Sequence, residues 1–214
     1  MSLFGKCAAL LLIAGSVWAG EPKQPSQTPS IPAGEKLLRD CSEKLARYTL
    51  SREEAAKLQD LVAGEKKEYR FRAAALLAGY QRIFHIDPTA ALKILAPLLG
   101  IEKEKISAWE KAVDAARKDK SGESKAPFPP PANWKLTDAN IPCALEAARD
   151  HLALKDQLGA LMILMAISNT LRGFPEVLAS ETGGDLNMDL NQFEKAIGFY
   201  ETAIKKLEGL SPGE

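Results

Sequence analysis

Asn191-Gln192-Phe193-Glu194-Lys195-Ala196-Ile197-Gly198-Phe199-Tyr200-Glu201-Thr202-Ala203-Ile204-Lys205-Lys206 is the stretch that decides the fold class. Its apolar residues recur at helical spacing, with small and large side chains segregated. Ala196 and Ala203, seven residues apart, leave room for a second helix to approach closely. Ile197, Tyr200 and Ile204 are expected to fill the seam between the two helices. The pattern predicts a helix over 191–210 that forms half of a packed pair.

Moving outward from that stretch, the helical period continues. Ile141 to Leu154 and Asp156 to Leu171 predict two further helices. The second is apolar on most of its circumference, which predicts a place at the centre of the core. Pro175 is expected to open a short helix through Ala179, with Gly183-Gly184 ending the element. Nearer the N-terminus, Glu35 to Leu50 stacks Leu37, Leu38, Cys41, Leu45 and Tyr48 on one stripe. Ser51-Arg52-Glu53-Glu54 is a capping box, in which hydroxyl and carboxylate each take a free amide, opening a helix that ends near Gly64. Glu65 to His85 forms the next helix. Asp87-Pro88 then caps another with a proline where its missing amide costs nothing, and Pro97 is expected to end or kink it. Ile106, Trp109, Ala112, Val113 and Ala116 line a fifth helix. Helix starts near 35, 65, 103, 141 and 175 are spaced as stacked helix pairs are.

Two stretches break this pattern. Residues 20–34 (GEPKQPSQTPSIPAG) are poor in large apolar side chains and predict a flexible linker. Residues 119–135 contain Pro129-Pro130-Pro131, which denies backbone donors and favours an extended spacer. The expected organisation is an N-terminal helical cluster at 35–118, that connector, and a C-terminal cluster at 136–210. Residues 1–19 precede both clusters. A start with Lys6, the apolar run from Cys7 to Val17, and small or medium residues before Gly20 predict a secretory signal peptide. The run is too short for a membrane span, and no later run is long enough. The expected location is therefore periplasmic or extracellular.

Composition narrows the partners. The chain carries 28 basic and 28 acidic residues, and of these only Lys6 lies in the signal. A near-neutral mature chain lacks the basic surplus a nucleic-acid binder uses against phosphates. Cleavage leaves two cysteines, Cys41 and Cys143. In an oxidising compartment they are candidates for one disulfide, the alternative being two small buried apolar residues.

The 191–206 helix resembles the second helix of a tetratricopeptide repeat, in which an aromatic, an Ala-Ile pair and a closing proline (here Pro212) recur. The likeness covers about 22 of the 214 residues. Upstream, Gly183-Gly184 departs from the pattern where the first helix of such a repeat should end. The expected fold class is all-α: stacked antiparallel helix pairs, as a tetratricopeptide-like solenoid or an irregular helical bundle. The resemblance implies binding of a protein or peptide without catalysis.

Motifs for chemistry are sparse. Asp185, Asn187 and Asp189 have the spacing of the first oxygen ligands of a calcium loop, and Gly184-Asp185-Leu186-Asn187-Met188-Asp189 is similar to the start of a dockerin repeat. Leu190 stands where such a loop needs glycine, and Ala196 where it needs a closing carboxylate. The competing reading is a polar turn that caps the next helix. His85 is expected at a helix C-terminus and His151 at a polar margin. Zinc spacing, a nucleophile elbow and a dinucleotide fingerprint are missing from the sequence. The sequence therefore nominates no catalytic residue and no cofactor. The expected function is an exported helical-repeat module that binds or scaffolds a protein or peptide. The rivals are a secreted hydrolase with carboxylates carrying no local motif, and a calcium-stabilised docking module.

Overall fold

The computed structural model describes residues 32–64, 67–118 and 128–210. The expected signal segment, most of the linker and the first part of the connector lie outside these residues. The described chain is all-α: α1 (Ala33–Ala46), α2 (Arg52–Ala63), α3 (Lys67–Phe84), α4 (Pro88–Leu95), α5 (Lys103–Lys118), α6 (Ile141–Ala153), α7 (Gln157–Thr170), α8 (Phe174–Asp189) and α9 (Phe193–Glu208). Helices adjacent in sequence pack in pairs. The pairs are joined through α3 against α6, α4 against α6, and α7 against α8.

Four pairs turn at a non-glycine residue in the left-handed region: Tyr48, Ile86, Lys155 and Asn191, with φ of 57°, 53°, 62° and 57°. Three of these turns close in the same way. The amides of Thr49, Asp156 and Gln192 donate to the carbonyls of Lys44, His151 and Asn187 at 2.8, 2.9 and 2.8 Å. One residue earlier, the amides of Tyr48, Lys155 and Asn191 donate to Leu45, Leu152 and Met188. This is the Schellman closure, which satisfies the last carbonyls of one helix and reverses the chain. A capping side chain then starts three of the second helices. Ser51 takes the Glu54 amide at 3.2 Å, Asp87 the Ala90 amide at 2.9 Å, and Asp156 the Gly159 amide at 2.9 Å. The capping box and the Asp-Pro start expected from sequence are both present.

Two clusters form the core. Leu38, Cys41, Leu50, Leu58, Ala73, Leu77 and Tyr80 bind α1, α2 and α3 together. A larger cluster joins α3 through α8 and includes Leu92, Leu95, Leu99, Cys143, Ala147, Ile163 and Ile167. It continues across the connector. Phe128 is buried edge-on to Trp109 and His151, and Trp134 donates from Nε1 to the Pro129 carbonyl at 2.9 Å. Asn140 donates from Nδ2 to the carbonyls of Leu98 and Lys135. Phe128 and Trp134 therefore anchor the proline-rich segment in the core, while Pro130 and Ala132 stay exposed.

Four expectations are corrected. Gly183-Gly184 does not end a helix: α8 runs through both to Asp189, because a β-carbon at Gly183 would stand 2.6 Å from the Phe199 ring. The glycines let α9 lay its aromatic rings against the α8 backbone. Cys41 and Cys143 are both buried free thiols in different clusters, so the expected bridge is not formed. His151 is buried under Phe128 and is not at a polar margin. Helix α7 buries only one face (Ala160, Ile163, Leu164, Ile167) and exposes Leu158, Leu161, Met162 and Met165.

Candidate functional site

Two features of the C-terminal half lie outside ordinary core packing. One is a buried charge cluster between α3, α6 and α8. Arg82, on the last turn of α3, donates from Nε and Nη2 to Glu146 Oε1 at 3.2 and 2.7 Å. Arg149 reaches the other Glu146 oxygen at 3.3 Å. Asp150, one helical turn beyond Glu146, is fully buried, with its Oδ1 3.1 Å from Arg82 Nε. Arg82 aims its hydrogens at Glu146, so neither oxygen of Asp150 receives a hydrogen bond. Burial, and then the negative charge of Glu146, hold the Asp150 carboxyl well above its ordinary range despite the two arginines. Beside it, Glu181, Asp185 and Asp189 follow at four-residue intervals along one face of α8. Burial and then Asp185 raise both Glu181 and Asp189. A cavity of about 290 Å³, bounded by Arg82, Arg149, Asp185 and Asp189, opens between them. With Glu146 bridging both arginines, this cluster ties α3 to α6, and its charges are largely spent on one another.

The second feature is an apolar surface at the end of the helical array. Phe193, Ile197, Ile204 and Leu207 of α9 are 54%, 56%, 55% and 48% exposed. Ala196 and Ala203 are buried against α8, as their size predicts, but among the described residues no helix covers the Ile197 and Ile204 side. The seam expected from sequence is thus half-filled, with Tyr200 alone fixed, by its hydroxyl donating to Asp185 Oδ1 at 2.8 Å. On the other flank of α9, a groove of about 240 Å³ runs between Leu161 of α7, Leu186 and Leu190 of α8, and Phe199 and Lys195 of α9. The exposed leucine and methionine stripe of α7 adjoins it through Leu161. The Ile197 side and this groove are two separate apolar surfaces on opposite flanks of α9.

The expected calcium ligands are not brought together. Asp185 and Asp189 lie on one face of α8, while Asn187 is buried on another and donates to the Gly183 carbonyl at 2.7 Å. A helix cannot wrap a cation with alternate residues, since successive ligands point away from one another. Among the described residues no three His, Cys, Asp or Glu side chains are grouped to hold a metal ion. No described helix is long and apolar enough to cross a membrane. No family model matches the chain, and no curated protein or solved structure matches it significantly.

Proposed function

We propose that this chain is an exported, tetratricopeptide-like helical protein that binds a protein or peptide through the C-terminal end of its array. The observation that carries the reading is the uncovered apolar face of α9, with four large side chains about half exposed. Support for a repeat architecture comes from the hairpin turn that recurs with a left-handed residue at Tyr48, Ile86, Lys155 and Asn191. Repeat proteins stack one hairpin on the next, so that the apolar face of each is covered by a neighbouring surface. Support for export is the charged, apolar and small-residue order of residues 1–19.

Photo-crosslinking in the native host tests the binding role. A benzophenone side chain at position 197 or 204 is expected to give a discrete adduct, whereas one at Lys111 of α5 gives none. Equal labelling from all three positions, or no adduct from α9, would overturn the reading.

A further inference from the structure

Phe193, Ile197, Tyr200, Ile204 and Leu207 are separated by four, three, four and three residues. That alternation averages 3.5, the repeat of a coiled-coil seam, and it runs the length of α9. Glu194, Glu201 and Glu208 stand seven apart, each one step round the helix from the seam, and all three are exposed. Lys205 stands beyond this row on the side away from the seam. The opposite flank is held by Ala196 and Ala203 against α8, whose Asp185 meets Tyr200. The seam therefore has an acidic row on one side, the glutamates of α9, while the α8 carboxylates on the other adjoin Arg82 and Arg149.

In the preceding hairpin only part of the equivalent face is covered. Counting from the left-handed residues Lys155 and Asn191, Leu164 matches Tyr200 and Leu171 matches Leu207. In α7, which packs against both α6 and α8, Leu164 is 4% exposed and Leu171 is packed on the core, whereas Leu161, the match of Ile197, is 42% exposed. A helix follows α7. None of the described helices follows α9. A second copy of α9 is a poor occupant, because antiparallel coiled-coil pairing sets each glutamate row against its own copy.

We infer that the α9 seam docks an amphipathic helix of a partner protein whose own apolar stripe is bordered by lysine or arginine. This deepens the binding role proposed above and rests on it. Three flanking acid–base pairs favour a basic-flanked helix over an acidic-flanked one by about tenfold at low salt. The apolar seam contributes to both alike.

The test uses the full mature protein and two labelled three-heptad peptides with the same leucine stripe, one flanked by lysine and the other by glutamate. Fluorescence anisotropy is expected to show the basic peptide bound about tenfold tighter, with the gap closing at high salt. Replacing all three glutamates, E194K/E201K/E208K, is expected to invert the preference, and I197S/I204S to abolish binding of both peptides with the helical circular dichroism retained. Equal affinities, or binding indifferent to I197S/I204S, would overturn the inference. So would a concentration-dependent dimer that I197S/I204S dissolves, which would assign the seam to a second copy. Position-197 adducts in the host without a charge preference would sink the basic helix and leave the binding role standing.

Discussion

The hairpins α6–α7 and α8–α9 share a turn, a proline in the first helical turn and a buried alanine at matching places, yet they end differently. In the first pair the aromatic ring, His151, sits on the leading helix and packs over Gly159 of the second. In the second pair the glycines are on the leading helix, and Phe199 and Tyr200 of α9 fill the space they leave. Both solutions bring two helices close. What separates them is position: α7 lies between α6 and α8, while α9 packs on α8. Leu171 of α7 packs on the core where the matching Leu207 of α9 is 48% exposed, so the neighbour decides whether that end of the helix is buried.

The contrast can be broken most sharply by truncating a buried residue of α7 and an exposed one of α9. Leu164→Ala should cost about 3 kcal/mol by urea denaturation, from lost burial and an unfilled cavity. Ile197→Ala, on the exposed seam, should cost less than about 0.5 kcal/mol. Equal costs would mean that α9 is covered after all. The glycine arrangement is next in size. Gly183→Val should destabilise by about 2 kcal/mol, since its side chain meets the Phe199 ring inside a packed pair. Restoring room with Gly183→Val/Phe199→Ala should recover less than the sum of the single losses predicts, because the ring's own burial is forfeited.

Acid titration separates two neighbours on α6, His151 and Asp150, by direction. Burial holds His151 below its ordinary value, against the pull of Asp156. The neutral form is thus the folded form, and stability should fall as pH drops below the ordinary histidine range toward that lowered value. Asp150 is shifted upward, so its slope is opposite: stability is lost as pH rises from the ordinary carboxylate range toward its raised value. His151→Gln should flatten the first slope and Asp150→Asn the second, both followed by thermal melting across pH. The turns give the smallest effects. Ile86→Gly and Lys155→Gly should each stabilise by about 0.5 to 1 kcal/mol by removing left-handed strain. Asn191→Gly should gain less, because asparagine tolerates that region.

Features written in adjacent residues were legible in advance: the Ser51–Glu54 box, the Asp87-Pro88 start, the close-packing pair Ala196 and Ala203, and the all-α class. Each depends on contacts within a helical turn or on spacing along one face. Gly183-Gly184 was misread because two helical glycines cost about 1 kcal/mol each locally, and the rings that offset this, Phe199 and Tyr200, each lie 16 residues away in α9. The left-handed turns at Ile86 and Lys155 carry no glycine to announce them. For α7 and α9, sequence gave the apolar faces but not their coverage, which depends on how many helices follow. Of the candidate site, the seam residues Ile197, Tyr200 and Ile204 were named in advance, but the neighbour, α8, packs on the Ala196 and Ala203 side and leaves the two isoleucines exposed. The Arg82–Glu146–Asp150 cluster joins residues 64 or more apart in sequence, so no local signal announced it.

Cys143 donates its S–H to the Phe71 carbonyl at 3.3 Å between α3 and α6, and burial pushes that thiol up to about 12. Cys41 lies in the separate α1–α3 cluster, pushed up to about 11 by the same cause. Neither sulfur can meet an alkylating reagent as a thiolate until its own layer parts. The chain thus carries two internal stopwatches: trapping rates at Cys41 time the opening of the N-terminal helices, and those at Cys143 time the separation of α3 from α6.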